Sequence, residues 1–305
     1  MSGSRAPASE HRVMGLLFVD KPAGISSHDV VGTVRRAART RRIGHAGTLD
    51  PFATGLLVVA VGSCTRLLPY LAGEPKVYEA TFRFGAETDT DDGTGSVIRA
   101  ASPPAREHVV EALSLFTGTF AQVPPAFSAK HVDGQRAYAV ARRGGTVSIP
   151  PACVTVHRWE VLTQADECIH VRITCAGGTY VRALARDLGR AVHSAAYCAR
   201  LRRVASGAAT VENAVTLDDL SPGAVSEGQI PVVSPLAFLA PMAHEHLNAE
   251  AMVALSHGRT VPATQRGDRA ALLHDGNIVG IADRAEVANI GVCWQPRVVL
   301  LDGVV

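Results

Sequence analysis

The spacing of apolar residues divides the first two thirds of the chain into short strands and amphipathic helices. Alternation or a short continuous apolar run is typical of a strand, whereas recurrence every three to four residues is typical of a helix with one buried face. The strands predicted on this basis are residues 13–19, 56–61, 76–85, 154–162 and 168–175. The predicted helices are residues 27–38, 64–71, 105–116 and 180–192.

Residues 76–85 alternate in a way that predicts one buried and one more exposed face. The predicted buried face consists of Tyr78, Ala80, Phe82 and Phe84. The pattern by itself therefore makes Tyr78 a core residue.

The predicted helix at residues 180–192 combines an apolar side with several arginines. Its apolar side consists of Val181, Leu184, Leu188 and Val192. The arginines at positions 182, 186 and 190 lie on other sides. Judged by position alone, Tyr180 is a packing residue at the start of this helix.

The last third of the chain predicts a second, smaller unit. Residues 221–241 are rich in Pro, Gly and Ser, which indicates a linker. Beyond it, Asn248 is placed to cap a short helix that ends near His257. Asp275-Gly276-Asn277 between apolar segments predicts a hairpin. The strands predicted here are residues 270–274, 278–282 and 298–301.

Length and composition predict a folded cytoplasmic protein. The chain has 305 residues, of which 47% are apolar, enough for one large or two unequal domains. No run approaches 18 uninterrupted apolar residues, so we expect no membrane span. Residues 1–12 lack the apolar core of a secretory signal and are interpreted as a disordered leader. The six cysteines include no C-x-x-C pair, which favours reduced thiols.

Positive charge is concentrated in the earlier part of the chain. Residues 1–240 carry 25 basic and 21 acidic side chains, whereas residues 241–305 carry 5 and 7. Basic clusters occur within residues 35–42 and 200–203. Such clusters are either solvated surface or sites that suit a phosphate backbone.

An acidic segment at residues 87–95 has the composition of a calcium-binding loop but not its spacing. With Gly93 at loop position six, Thr88 falls at the first position and Arg99 at the twelfth. An EF-hand requires Asp and Glu there, so this class of metal site is excluded.

The candidate chemistry centres on residues 42–57, which read RIGHAGTLDPFATGLL. Three glycines permit backbone conformations that other residues resist, and Pro51 keeps Asp50 out of the helical region. Asp50 therefore lies on a shaped loop before a buried strand, a common way to present a catalytic carboxylate. The alternative is a turn residue that bonds its own backbone, which would not require the histidine, threonine and glycines before it.

Residues 44–57, GHAGTLDPFATGLL, resemble the catalytic motif of the TruB family of tRNA pseudouridine synthases, whose pattern is close to GHxGxLDPxAxGLL. Four further segments occur in the order that the family shows. They are DKPAGISS at residues 20–27, KVY at 76–78, GGTYVR at 177–182 and LRR at 201–203. These segments run from residue 20 to residue 203, and the resemblance extends to about residue 215, roughly two thirds of the chain.

The resemblance implies an α+β fold of the pseudouridine synthase type, with a mixed, mostly antiparallel sheet flanked by helices. It implies a catalytic domain at residues 13–235 and a small PUA-like β-barrel domain at residues 242–305. Residues from about 122 to 151 would form a thumb-like insertion that grips RNA, although an ordinary hairpin-and-helix excursion fits their composition equally well. The negative balance of the tail departs from what an RNA-gripping module should show.

The resemblance also implies roles for individual side chains. It makes Asp50 the nucleophile, Arg182 its ion-pair partner, and Tyr180 a stacking residue or the acceptor of the C5 proton. The residues implied to bind the substrate are Tyr78 and Leu201 in the base pocket, His45 against the vacated base stack, and Lys21 against the loop backbone or a phosphate. Within the acidic segment, Asp89 would support basic groups of the site.

The function that the resemblance implies is isomerisation of uridine to pseudouridine at position 55 in the T arm of tRNA. The reaction involves no redox change and no hydrolysis. We therefore expect no cofactor, no metal ion, no membrane association and no obligatory protein partner.

Two other classes of function explain less of the sequence. A non-catalytic RNA chaperone would account for the basic clusters but not for the joint occurrence of Asp50, Tyr78, Tyr180 and Arg182. A glycoside hydrolase needs a second acid beside Asp50, and no motif supplies one. The zinc deaminase signature and the P-loop and Rossmann glycine patterns are also missing.

Overall fold

Two β-sheets, one of nine strands and one of five, organise the residues that the computed structural model describes. These are residues 13–71, 73–127, 149–165, 167–288 and 291–300, with the backbone of 131–132 and 135–136. The predicted leader lies outside the described residues, as does most of the predicted insertion.

The strands are numbered in chain order. Those before residue 211 are β1 (Gly15–Lys21), β2 (Ile43–Ala46), β3 (Thr54–Val61), β4 (Lys76–Phe84), β5 (Ala86–Thr88), β6 (Val97–Ala100), β7 (Gly118–Gln122), β8 (His131–Val132), β9 (Gln135–Arg136), β10 (Ala152–Ala165), β11 (Cys168–Cys175), β12 (Ala196–Ser206) and β13 (Ala209–Thr210). The later strands are β14 (Ala243–His246), β15 (Val261–Pro262), β16 (Arg269–His274), β17 (Asn277–Val287) and β18 (Gly291–Val299).

The helices are short. They are α1 (Ser27–Ala37), α2 (Arg106–Ala112), α3 (Val181–Ala191) and α4 (Ala249–Ser256), with 3-10 helices at Gly62–Tyr70, Leu113–Phe116, Val211–Asn213 and Pro235–Phe238. Within the described ranges no helix has the length and apolar character needed to cross a membrane.

The first sheet has the strand order β1-β3-β12-β4-β11-β10-β7, with β2 beside β3 and β13 beside β12. All of these neighbours are antiparallel except β3 and β12, which run parallel. The parallel pair brings Gly55 opposite Arg203. The strands β5 with β6 and β8 with β9 form two separate ribbons. The predicted α+β fold with a mixed, mostly antiparallel sheet is confirmed.

Local sequence signals explain the start of α1. The Ser26 hydroxyl accepts a hydrogen bond from the Asp29 backbone N–H at 3.2 Å, and the Asp29 carboxylate accepts one from the Ser26 N–H at 2.8 Å. This reciprocal capping box satisfies two backbone donors at the helix N-terminus. Val30, Val31 and Val34 are buried, as their spacing predicts.

The alternation predicted for β4 is confirmed, because Tyr78, Ala80, Phe82 and Phe84 are all buried. These side chains belong to an apolar cluster that also contains residues of α3. The helix contributes Val181, Leu184, Ala185 and Leu188. This packing fixes α3 across the sheet, so that the start of the helix has a defined position.

The segment at residues 221–241 is not the free linker that its composition indicates. Leu16 and Val233 exchange two backbone hydrogen bonds of 2.7 Å along the edge of β1. Val225 and Leu239 are buried against the rest of the chain. Proline and glycine interrupt regular secondary structure here, but they do not prevent the apolar residues from packing.

The second sheet has the order β14-β16-β17-β18-β15 and forms a curled half-barrel, in agreement with the predicted PUA-like fold. The predicted hairpin joins β16 to β17, and Asp275 and Gly276 have φ values of 49° and 77°. Two successive positive φ values are typical of a type I′ turn. The Asn248 side chain caps α4 by accepting a hydrogen bond from the Ala251 N–H at 2.8 Å.

The two sheets share one apolar cluster. Its members from the first sheet include Leu16, Phe18, Leu56 and Val58, and those from the second include Ala271, Leu273, Ile281 and Val298. Phe238 lies between them, with its ring centroid 5.9 Å from that of Phe18. A guanidinium N–H of Arg66 also donates to the Val299 carbonyl at 2.6 Å. The second sheet is therefore packed directly on the first.

We predict that the two sheets unfold together. The two tryptophans of the chain report on them separately, because Trp159 lies on β10 and Trp294 on β18. Leu273→Ala should destabilise the protein by about 2–5 kcal/mol through the cavity that it leaves in the shared cluster. Urea titrations of the single-tryptophan variants Trp159→Phe and Trp294→Phe should show the same midpoint shift. A shift confined to the Trp294 signal would mean that the second sheet unfolds alone.

Candidate active site

Asp50 lies on the loop that connects β2 to β3, and the loop is held from both sides. The Leu49 N–H donates to the Ser27 hydroxyl at 2.9 Å, and this hydroxyl donates to the Leu49 carbonyl. The Gly24 N–H donates to the Pro51 carbonyl at 2.8 Å. A side chain on Gly55, where φ is +99°, would overlap the backbone of β12. The glycine thus permits the close strand contact that begins directly after the loop.

Lys21 lies beneath this loop with no part of its surface exposed. Its ammonium donates to the carbonyls of Pro22 and Ile25 at 2.8 Å and to that of Pro51 at 3.2 Å. Burial lowers the pKa of Lys21 to about 8, while Asp50 acts in the opposite direction. A contact between Lys21 and the substrate stays a prediction. Of the two roles left open by the sequence, support of the loop backbone fits the structure, because the ammonium is enclosed by protein carbonyls.

Arg182 makes a bidentate ion pair with Asp50. Its Nε–H donates to one carboxylate oxygen at 2.9 Å and its Nη2–H to the other at 3.0 Å. The side chain of Arg182 is only 4% exposed, whereas that of Asp50 is 34% exposed. The pair therefore has a buried guanidinium and a carboxylate that still faces open space.

Three further groups hold the Arg182 guanidinium. It donates to the carbonyls of Thr90 at 2.7 Å and Phe127 at 2.9 Å, and it lies 3.5 Å from the Asp92 carboxylate. The acidic segment thus does support the site, but not through the predicted residue. Asp89 is exposed, and its carboxylate accepts a hydrogen bond from the Ser96 N–H across a turn of the chain. It therefore supports this turn and not the Arg182 guanidinium.

The electrostatics of Asp50 combine opposing effects. Burial raises the pKa of this carboxyl above its ordinary value, Arg182 lowers it, and Asp92 raises it again. The net direction is upward, so Asp50 takes up a proton at a higher pH than an exposed aspartate does. Without the Arg182 guanidinium the carboxylate form would be disfavoured further.

The other two arginines of α3 are also paired with acids of the 87–92 region. Arg186 lies 2.8 Å from the Asp91 carboxylate, and Arg190 pairs with Glu87. Burial raises the pKa of Asp91 to about 6, against the effect of Arg186. A ladder of ion pairs therefore fixes the acidic segment along α3, and Arg182 forms its end at the cleft.

A cleft of about 240 Å³ opens beside Asp50. Its lining contains five of the residues predicted for the site, namely Asp50, Tyr78, Tyr180, Arg182 and Leu201. Tyr78 and Leu201 are nearly buried at its base, on β4 and β12. Residues from four separate segments of the chain are thereby brought together around one carboxylate.

The backbone of Tyr180 is clamped by Gln122, the last residue of β7. The Tyr180 N–H donates to the Gln122 side-chain oxygen at 2.9 Å, and the amide nitrogen of Gln122 donates to the Tyr180 carbonyl at 3.2 Å. Gln122 is 1% exposed, so this amide has little freedom to move. Neither sequence pattern nor resemblance indicated Gln122.

His45 does not line the cleft. It lies on β2, half-buried, and its ring Nδ1 is buried without a hydrogen-bond partner among the described residues. Burial lowers the pKa of His45, and the Arg203 guanidinium lowers it further, which favours the neutral imidazole. A contact between His45 and a substrate stays a prediction.

Two basic residues near the cleft were missed as site residues. Lys76 lines it, and Arg203 lies fully buried beside it. Both stand inside segments that carry the family resemblance, Lys76 in KVY and Arg203 in LRR. Those segments could have drawn attention to them.

The comparisons with known proteins agree with this geometry. The model of the TruB family of pseudouridylate synthases (N-terminal domain) matches residues 35–181. A tRNA pseudouridine synthase B of Thermobifida fusca is 44% identical over 283 residues, which cover 88% of this chain and 94% of that protein. Another, of Gloeobacter violaceus, is 42% identical and covers 83% and 88%. The chain belongs to the TruB family.

The predicted resemblance is thereby confirmed, and the chain is an enzyme, an isomerase of the pseudouridylate synthase class. Solved structures agree on the fold. A chain of an H/ACA RNP bound to a substrate RNA containing 2′-deoxyuridine has a TM-score of 0.71 at 21% identity, with 97% of this chain and 88% of that chain covered. A Cbf5-Nop10-Gar1 complex gives 0.70 at 22% identity, with 95% and 85% covered.

We predict that Lys21→Met loosens the Asp50 loop. Three partly buried carbonyls lose their donor, which should reduce the free energy of unfolding by about 1–3 kcal/mol. Urea denaturation measures this, with Arg41→Met, which removes an exposed cation, as the control. A Lys21→Met protein as stable as Arg41→Met would contradict the supporting role.

Proposed function

We propose that this enzyme converts uridine to pseudouridine at position 55 in the T arm of tRNA, with Asp50 as the nucleophile. Relatives that align over most of the chain are named tRNA pseudouridine synthase B. The observation that carries the proposal is the carboxylate of Asp50, held by Arg182 at 2.9 and 3.0 Å at a cleft that also contains two tyrosines.

The reaction breaks the bond between N1 of uracil and C1′ of the ribose, turns the base, and joins C5 to C1′. A proton leaves C5 and N1 gains one, so the atoms of substrate and product are the same. A carboxylate that attacks covalently divides this difficult exchange into easier steps. Attack of Asp50 at C6 and attack at C1′ both fit its partial exposure.

The dimensions of the cleft suit a single base. Its volume of about 240 Å³ is below the roughly 300–1,000 Å³ typical of pockets for drug-sized ligands, which favours a small group such as one base. A base inside a folded RNA arm must first be flipped out, at a cost of a few kcal/mol. Stacking on an aromatic ring returns about 1–3 kcal/mol per base, a role for Tyr78 or Tyr180.

The roles of the remaining groups follow from their positions. Arg182 keeps Asp50 ionised and fixes its direction. Leu201 fills the base of the cleft, and the Tyr180 hydroxyl, directly or through a water, accepts the proton from C5. The clamp on the Tyr180 backbone by Gln122 holds this residue at the entrance to α3.

We further propose how the chain engages the RNA arm. The domain at residues 13–235 would perform the chemistry, with His45 against the vacated base stack and the insertion at about 122–151 gripping the arm. The domain at residues 242–305 would act chiefly as structural support. The enzyme would need no metal, cofactor or protein partner and would act in the cytoplasm.

For Asp50→Asn we predict that RNA binding persists while catalysis is lost. The amide cannot act as the nucleophile, so turnover should fall by at least about 10⁴-fold, as in other enzymes that lose this group. The measurement is release of tritium from C5-labelled uridine in a T-arm transcript, with purified protein and no added metal or cofactor. Binding is measured by filter retention.

The matched control is Asp218→Asn, which changes an exposed aspartate elsewhere and should leave the rate unchanged. Substantial turnover by Asp50→Asn would remove Asp50 from the proposed role. If the wild-type protein binds the transcript but releases no label, the chaperone interpretation is correct instead.

For Tyr180→Phe we predict an intact fold and a rate reduced by about 10²–10⁴-fold, the usual contribution of a general base. The phenyl ring keeps the packing and stacking surface and loses only the hydroxyl. Tyr70→Phe, which removes a hydroxyl outside the cleft, is the control. A near-normal single-turnover rate for Tyr180→Phe would limit Tyr180 to packing and stacking.

A further inference from the structure

Two cationic side chains lie together beside the cleft, and one of them, Lys76, forms part of its lining. Lys76 opens β4, and Arg203 lies on the neighbouring strand β12, opposite Tyr78. The absent side chain of Gly47 leaves a space between them: a Cβ there would lie 3.2 Å from Lys76 Nζ and 3.4 Å from Arg203 Nη1. Both nitrogens therefore border the same side of Gly47, within about 7 Å of each other, close enough for one ligand group to lie near both.

Among the described residues neither cation forms an ion pair with an acid, although the charge of Glu74 favours the charged form of Lys76 from farther away. Arg203 donates to the carbonyls of Leu56 at 2.7 Å and Gly47 at 3.1 Å, and its Nη1 is buried without a hydrogen-bond partner. Lys76 Nζ makes no hydrogen bond to any described part of the chain. The nearby Glu74 carboxylate is used by the Gly177 N–H at 2.8 Å. The three arginines of α3, by contrast, all have carboxylate partners.

Two cations this close together reduce the stability of the folded protein unless a ligand supplies a hydrogen-bond acceptor for them. Burial lowers the pKa of Lys76, and Arg203 lowers it further, whereas Cys175 and Glu74 raise it. Buried charges are normally paired or hydrogen-bonded, because desolvation otherwise opposes them. An electron-rich oxygen at the cleft floor would satisfy both the ammonium and the unpaired guanidinium N–H.

The depth of the pair decides which oxygen this is. Arg203 is fully buried, and Lys76 is half-buried in the lining of the same cleft that contains Asp50 and Tyr78. A backbone phosphate is large and hydrated and follows the outer surface, where cations would need to be exposed. A carbonyl oxygen of the base is small enough to reach the floor beside Tyr78.

We propose that Lys76 is a catalytic residue that donates a hydrogen bond to a carbonyl oxygen of the target uracil, with Arg203 as the positioning residue behind it. This inference rests on the proposed function. The proposed hydrogen bond would stabilise negative charge on the base whether Asp50 attacks C6 or C1′. Addition at C6 moves the π electrons of the C5–C6 double bond through C4 toward the carbonyl oxygen O4. Attack at C1′ instead leaves the N1–C1′ electron pair on the base, where it is delocalised over N1 and both carbonyl oxygens. Lys76 keeps its proton throughout.

The test compares Lys76→Met, which removes the charge, with Lys76→Arg, which keeps it. Single-turnover formation of pseudouridine in a T-arm transcript, at saturating enzyme, should slow by about 10²–10³-fold in Lys76→Met, the usual loss for one preorganised donor. RNA affinity should stay within about threefold of wild type. Arg83→Met, at the exposed end of the same strand, should match wild type in both.

A pH series separates this role from a purely structural one. The groups around Lys76 are Arg203 on β12, Cys175 on β11, Glu74 before β4 and Tyr78 on its own strand. Because the pKa of Lys76 lies below 10.5, wild-type Lys76 loses its proton at a pH where an arginine remains charged. The ratio of the Lys76→Arg rate to the wild-type rate should therefore rise with pH. This ratio remains measurable even if Lys76→Met does not fold.

Four results would overturn the proposal. Weaker RNA binding by Lys76→Met, with a shallower salt dependence and a normal single-turnover rate, would assign Lys76 to a phosphate. A normal rate together with normal binding, or a pH-independent ratio, would leave it no role in the reaction. Wild-type protein that forms no pseudouridine would reject the proposed function and this inference together, whereas active wild type with an equally active Lys76→Met rejects the inference alone.

Discussion

The ion pair between Arg182 and Asp50 is the interaction on which the rest of the site depends. It joins residues 132 positions apart in the chain. The same guanidinium also bonds the carbonyls of Thr90 and Phe127. A buried arginine that lost these partners would cost several kcal/mol, because its charge would be neither hydrated nor compensated. Three loops are therefore held in place by the requirement to satisfy one side chain.

Charge is distributed unevenly around the cleft, and the distribution has a chemical meaning. On the α3 side, each arginine is matched by an acid, which favours rigidity. On the β4 and β12 side, Lys76 and Arg203 form no ion pair with an acid of the described residues, and Glu74 acts on Lys76 only from farther away. An enzyme gains rate from charges that are already in place where negative charge develops, because they need no rearrangement during the reaction. Reduced stability of the resting enzyme is the accompanying cost.

Much of the fold and site could be predicted because local signals and tertiary contacts agree. Alternation in β4 and helical spacing in α3 identified the two elements that pack together, and the loop glycines and Pro51 identified a shaped segment around Asp50. The family motifs then supplied partners that no local pattern joins, such as Arg182. Periodicity cannot show such pairs, since the residues meet only after the sheet has formed.

What escaped prediction depended on contacts that composition does not encode. A lysine is normally predicted to lie at the surface. Lys21 is buried instead, because its ammonium donates hydrogen bonds to three loop carbonyls. In the acidic segment, the left-handed conformation of Asp91, with φ of 60°, sets which carboxylates turn inward. The strands β14 and β15 are four and two residues long, too short for alternation to identify.

The apolar cluster between the two sheets has a consequence for evolution and for protein engineering. A shortened polypeptide that stops near residue 241 would lose the second sheet. The faces of β1 and β3 that pack against that sheet would then contact water, including Leu16, Phe18, Leu56 and Val58. An exposed patch of this kind promotes aggregation. Natural selection can thus preserve the C-terminal half-barrel for solubility of its neighbour, even where its own surface never touches nucleic acid.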